Sequence, residues 1–256
     1  MEEGILSTLI QFYDSLYHCF TFPNYKLLPT LEEYASIIGL PITGRIPFNG
    51  LEMDHKSHDI KVLSFSQERK EDDFETVFAL LVYGLFLFPN IDNFVDMNAI
   101  KIFMKGNPVP TLLVDTYYFI HLRNSYGKEM ITCCTPFLYK WYISHLPNTN
   151  DFWDHKEGQK WSQKIMTLTN TDIAWTNNYF CRIKTLDSYG DFPNVPLLGT
   201  KGGISYSPIL ARRQFGFPMD KIPRNILLDG FFLEEGVENK EFRERITNAW
   251  HPSHRK

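Results

Sequence analysis

FETVFALLVYGLFLF, residues 74–88, is the stretch that decides how the chain must fold. Twelve of its fifteen residues are hydrophobic, and no charge follows Glu75. A helix that is apolar on every side has to be buried on every side, so other elements must wrap it. Glu71, Asp72, Asp73 and Glu75 place negative charge at the positive end of such a helix, and either aspartate can N-cap it. Pro89 stops it. The rival reading is a membrane span. The uncharged run 76–91 is sixteen residues long, includes Pro89 and falls short of the ~20 apolar residues that a bilayer core requires. The expected fold is mainly α (α+β): one helical domain over 1–256 around a buried central helix, with a small antiparallel sheet or hairpin in its C-terminal third.

On the N-terminal side, residues 4–20 read as an amphipathic helix. Ile5, Leu6, Leu9, Tyr13, Leu16, Tyr17 and Phe20 follow helical spacing. Residues 21–29 read as extended. Thr30-Leu31-Glu32-Glu33 is a capping box, with Leu31, Tyr34, Ala35 and Ile38 as the buried stripe and Gly39 as the left-handed end. From 42 to 70 the pattern dissolves into Gly, Pro and charge, an excursion from the core that composition marks as the most mobile part of the chain, with a short strand at 60–65.

On the C-terminal side, helices are expected over 92–104, from Pro110 to 124–127, and from Thr135 to Pro147. Leu113, Tyr117 and Ile120 point inward on the second of these, and Leu138, Trp141 and Tyr142 on the third. Residues 148–158 read as polar loop. Trp161, Ile165 and Leu168 mark another helix. The period then shifts toward two, predicting strands at 171–175 and 179–184 and a hairpin of 195–198 with 204–206. Ser207 and Pro208 start a short helix ending at Phe215-Gly216, with Ala211 and Phe215 facing the core, and a last helix spans 240–250.

The composition is that of a globular protein: 43% hydrophobic, 22% charged and 15% aromatic. The net charge is −4, and residues 52–75, with eight acids against four bases, account for all of it. No global basic field favours nonspecific nucleic-acid binding. Cys19, Cys133, Cys134 and Cys181 are sparse and form no CxxC pair, which fits a reduced intracellular compartment. The residues carry no dense nuclear-import cluster.

Candidate chemistry is thin. Gly199-Thr200-Lys201-Gly202-Gly203 lacks P-loop spacing and reads as a hairpin turn. Asp54, His55, His58 and Asp59 are zinc-type ligands without a completing Cys pair or third His. Cys133 and Cys134 precede a helix start that could activate a thiol, yet Ile131 and Phe137 mark them as buried small residues. Lys101, Lys140, Lys160 and Lys201 lack the phosphate cup and ring-nitrogen acid that pyridoxal phosphate requires. No cofactor, no metal and no catalytic residue is therefore assigned.

Several stretches together resemble the plant mobile domain. FPNYKLLPTLEEYASIIGLP (22–41) resembles its opening, where a threonine-started short helix ends in a Gly-Leu-Pro type turn. Asp172-Ile173-Ala174-Trp175 resembles its short strand ending in tryptophan. Arg213-Gln214-Phe215-Gly216, followed by Pro218 and Ile222-Pro223, resembles its RQFG motif, and Ala249-Trp250-His251 with His254-Arg255-Lys256 its closing segment. Segments 79–107, 133–147 and 192–206 are similar to a legume-type branch of uncharacterised, transposon-associated proteins. One departure stands after Trp175, where Thr176-Asn177-Asn178-Tyr179 replaces a stretch that often carries proline. The resemblance spans about residues 22–256. It implies a transposon-derived domain, with some copies serving nuclear genome maintenance or transposon silencing through protein partners, phosphatase-like ones among them. Its aminotransferase-like label implies an alternative enzyme reading, and a nucleic-acid-binding module is the other alternative. No motif carries aminotransferase activity onto residues here.

The expected partner surface lies at the hairpin and short helix. Arg212 and Arg213 fall in the last helical turn, where positive charge meets the negative helix end. With Lys201 and Arg224 they make a candidate basic patch for an acidic segment or a nucleic-acid backbone.

Overall fold

Thr30 anchors the chain much as its sequence predicts. In the computed structural model it N-caps helix α2 (Leu31–Ile38), its hydroxyl accepting the Glu33 N–H at 3.1 Å while Glu33 Oε2 accepts the Thr30 N–H at 3.0 Å. Gly39, at φ 77, ends the helix in the left-handed region. The structure describes residues 4–15, 17–39, 108–126, 135–154, 160–175, 186–189, 194–199, 203–218 and 253–255. The helices expected at 74–88, 92–104 and 240–250, the excursion 42–70 with its strand, and the strand at 179–184 lie outside the described residues.

The helix expected over 4–20 is cut short. Helix α1 (Ile5–Ile10) is followed by strands β1 (Tyr13–Asp14), β2 (Cys19–Thr21) and β3 (Lys26–Leu27), an antiparallel sheet in that order. Asp14 Oδ1 accepts the Tyr17 N–H at 3.3 Å, giving the backbone a partner outside a helix. His18 sits at φ 50 in the turn. The apolar spacing misleads because Tyr13 and Phe20, two helical turns apart, are also direct cross-strand partners with rings 5.7 Å apart.

Helices α3 (Pro108–Tyr126) and α4 (Thr135–His145) supply the wall against which this N-terminal unit packs. α3 starts two residues before the expected Pro110. Leu113, Tyr117, Ile120, Leu138, Trp141 and Tyr142 are all fully buried, as their spacing predicts, and α2 lies against both helices. Aromatic rings are prominent in this core, where Phe20 meets Trp141 at 5.7 Å and Phe22 stacks on Tyr25 at 4.4 Å.

The polar stretch after α4 is not all loop. α5 (Asn150–Trp153) is a single turn whose Phe152 and Trp153 pack on Trp161 of helix α6 (Trp161–Thr167). Lys164 holds it, donating to the carbonyls of Phe152 at 2.7 Å and Asp154 at 2.8 Å. The strand expected at 171–175 is a turn. Asp172 Oδ2 accepts both the N–H and the hydroxyl of Thr169, at 2.8 and 2.7 Å, a side-chain closure that competes with extended backbone.

In the C-terminal third, β5 (Val195–Leu198) and β6 (Gly203–Tyr206) form the expected hairpin, packed on α3. Gly199 is required by packing: a Cβ there would stand 2.6 Å from Val114 Cγ1 and collide with Asp115. Ser207 caps helix α7 (Pro208–Gln214), Ala211 is buried and Phe215 is half-buried. A further antiparallel pair joins β4 (Leu186–Tyr189) to β7 (Ser253–Arg255). The domain is thus mainly helical with small antiparallel sheets, one of them N-terminal rather than in the C-terminal third.

Candidate functional site

The capping glutamate does more than start a helix. Glu33 is buried, and its carboxylate gathers donors from three parts of the chain: the start of its own helix, α4 and α7. Oε2 accepts from the Thr30 N–H and hydroxyl, from Trp141 Nε1 at 2.9 Å and from Gln214 Nε2 at 3.0 Å. Oε1 accepts from Gln214 Nε2 at 2.8 Å and stands 3.0 Å from His145 Nε2. That last pair is close enough to add a bent hydrogen bond to what is chiefly an ion pair.

The proton positions follow from the acceptors. His145 Nδ1 lies 2.8 Å from the Ala174 carbonyl, which can only accept, so Nδ1 carries a proton. A bare Nε2 lone pair would then face a carboxylate, whereas a protonated one is attracted to it. Burial pulls the His145 pKa down, but the Glu33 charge, with bonds to Glu33 and Ala174, raises it above its ordinary 6.5. Burial pushes Glu33 up, but the His145 charge and the bonds from His145, Thr30 and Gln214 hold it below its ordinary 4.5. Both side chains are at most 5% exposed. With its oxygens occupied and water excluded, the pair clamps the fold and offers no open position for a reacting group.

Gln214 also seals a sheet edge. Its Oε1 accepts the Leu28 N–H and its Nε2 donates to the Leu28 carbonyl, both at 2.9 Å. Beside this clamp opens a cleft of about 440 Å³, whose lining includes Asn24, Lys26, Asn170, Trp175 and Arg213 around buried Cys19. Lys26 and Arg213 are exposed, and among the described residues no carboxylate belongs to the lining. Lys26 Nζ rests 5.1 Å from the Tyr17 ring centroid, and Trp175 is oriented by its Nε1–H donating to the Asn170 carbonyl at 2.7 Å. Burial pushes the Cys19 thiol up, away from a reactive thiolate.

The expected basic patch divides. Arg213 belongs to the cleft, while half-buried Arg212 turns its guanidinium to the Phe217 ring, 4.9 Å from the centroid. Lys201 and Arg224 lie outside the described residues, as do the Asp54–Asp59 ligand types, Cys133, Cys134, Cys181 and Lys101. Among the described residues no group of acids, His and Cys could hold a metal ion, and no helix is long and apolar enough to cross a membrane. Lys26, His145 and Gln214 escaped the sequence reading. Gln214 carried a signal, one turn beyond buried Ala211 on the same helical face.

No curated protein and no solved structure matches the chain. A family model described as a domain of unknown function, DUF7745, matches residues 1–68 and 59–256, two segments that meet inside the 42–70 stretch. With the whole length matched, the chain belongs to the DUF7745 family.

Proposed function

We propose that this domain is a non-enzymatic interaction module that receives an acidic stretch of a protein partner at the cleft edged by Lys26 and Arg213. The observation that carries the reading is the lining: two exposed cations beside an oriented tryptophan in a concavity to which no described carboxylate contributes. Opposite charge on the occupant would steer encounter and fix register. The closest carboxylate–imidazole pair nearby is enclosed and structural, which favours binding over acid–base chemistry. The resemblance to the plant mobile domain extends the reading to a transposon-derived domain acting in the nucleus, in genome maintenance or transposon silencing, through partners that include phosphatase-like proteins. Lys201, Arg212 and Arg224 enter it as further candidate contacts.

The test is a fluorescence titration of the full chain with glutamate-rich peptides, their glutamine counterparts, oligothymidylate and pyridoxal phosphate. Acidic peptides should bind, weaken with salt, and lose most affinity to K26Q/R213Q at an unchanged melting temperature. Equal binding of the glutamine peptides, or full affinity in the double variant, would remove the reading. Preferential binding of oligothymidylate, or a borohydride-fixed lysine adduct with pyridoxal phosphate, would replace it with one of the alternatives.

A further inference from the structure

The outer edge of the N-terminal sheet, at β3, lines the same cleft. β3 pairs with β2 in the register Thr21 with Lys26 and Phe20 with Leu27, and among the described residues no strand lies on its other side. The directions of its backbone groups follow from neighbouring bonds. The Tyr25 carbonyl accepts the Phe22 N–H at 2.9 Å, so Tyr25 faces β2. The Thr21 N–H donates to the Phe12 carbonyl at 2.8 Å, so Thr21 faces away from β3. Thr21 and Lys26 are therefore a non-hydrogen-bonded pair, and the Lys26 N–H and C=O point outward. Leu28, two residues on, points the same way, and there the Gln214 amide takes both groups as a strand would. Lys26 is the next position along this edge, and its backbone groups meet no partner among the described residues.

We infer that the cleft binds its partner by strand addition: an extended acidic peptide exchanges two backbone hydrogen bonds with Lys26, its carboxylates reaching the Lys26 and Arg213 side chains. The inference rests on the interaction-module reading and adds the binding mode. An open donor–acceptor pair on a sheet edge is a template for an extended chain. Gln214 blocks the edge beyond Lys26 and so limits the added strand to a single exchange of bonds. That bond pair carries little sequence information, which leaves selection to charge and to packing on Trp175.

The probe is the tightest member of an array of acetylated octapeptides alternating glutamate with Val, Thr, Tyr or Phe. Amide hydrogen exchange of the full chain is followed with and without it. The Lys26 amide should exchange openly in the free protein and become at least tenfold slower with peptide bound. N-methylation of the peptide at one interior position should lower affinity about tenfold, the loss of one well-made hydrogen bond, while methylation one residue away has little effect. K26P, which removes the outward N–H, should bind more weakly than K26Q, which removes only the charge; a proline is tolerated at an outward edge position. If acidic peptides bind but the Lys26 amide stays unprotected and no methylation matters, strand addition is wrong and the module reading survives. If no acidic peptide binds, both fall. Protection of Lys26 that rises with protein concentration alone would give the edge to a second copy, and protection by oligothymidylate to nucleic acid; either would overturn the inference.

Discussion

Replacing Glu33 by glutamine keeps the shape of the side chain and removes its charge, which isolates what the buried carboxylate does. Both oxygens face donors, so neither amide orientation preserves every bond. With its nitrogen at the Oε2 position, the new amide would oppose Thr30, Trp141 and Gln214 together. With its nitrogen at Oε1, it could donate to Nε2 of a neutral His145, but it would collide with Gln214 Nε2, which Leu28 holds in place. The second arrangement is the cheaper. Removing one partner of a buried ion pair costs about 3–5 kcal/mol, and the bond to neutral imidazole returns about 1 kcal/mol. The expected loss is ~3 kcal/mol, a large share of the ~5–15 kcal/mol by which domains are stable.

The pH dependence gives the sharper check. Glu33 has a depressed folded pKa, so its contribution is complete above its ordinary 4.5 and is lost as pH falls through the folded value. His145 has a raised folded pKa, so its contribution is complete below 6.5 and is lost as pH rises through the folded value. The difference between parent and E33Q should therefore be greatest between pH 4.5 and 6.5 and shrink on both sides. Buried His18, its pKa lowered to about 4 by desolvation and by His121, destabilises the fold as pH drops from 6.5 toward 4. It does so equally in both proteins and cancels in the difference. Urea unfolding followed by tryptophan emission at several pH values measures the quantity. A loss below ~1 kcal/mol at pH 5.5, or a difference flat in pH, would show that the pair does not clamp the fold.

Three other expectations follow from single contacts. G199A should lower stability by about 1–3 kcal/mol, because the added methyl has no room against Val114 and Asp115 of α3; an unchanged melting curve would refute the close approach. K164M should cost about 1–3 kcal/mol and raise proteolytic cleavage around α5, because two carbonyls lose their donor; a compensating gain from packing among Phe152, Trp153 and Trp161 would show as no loss in urea. Q214A should free both Leu28 edge groups and remove its bonds to both Glu33 oxygens, so the Leu28 amide should exchange faster by hydrogen exchange, whereas unchanged protection would mean another group covers that edge.

Local features were readable and their long-range partners were not. The Thr30–Glu33 box, the Gly39 end, the Ser207-Pro208 start and the 195–206 hairpin are each specified within a few residues, and all four stand in the structure. The misreadings share a cause: a local pattern compatible with two states, resolved by a distant contact or a side chain. Tyr13 and Phe20 satisfy helical and cross-strand spacing alike. The turn at Phe152 and Trp153 is polar in composition but gains Trp161 and Lys164 as partners. The pairing of β4 with β7 joins segments more than sixty residues apart in sequence, with no local signal to announce it.

The stretches that prompted the family resemblance make the same point from the other direction. FPNYKLLPTLEE, DIAW and RQFG are separate words in the sequence, and in the structure they meet around one carboxylate. Thr30 and Glu33 come from the first, the Ala174 carbonyl that holds His145 comes from the second, and Gln214 from the third. Their neighbours Lys26, Trp175 and Arg213 then face a common cleft. A capping box needs only its own helix, yet here the capping glutamate is also the dock for α4 and α7. Helix start and domain assembly are therefore coupled through a single side chain, and a cleft walled by that assembly should lose its shape whenever the carboxylate is lost. E33Q should accordingly weaken peptide binding even where the variant remains folded, although Glu33 is not itself a lining residue and reaches the cleft only through its bonds to Gln214. Full peptide affinity in folded E33Q would separate the clamp from the cleft and leave the three motifs with a purely structural role.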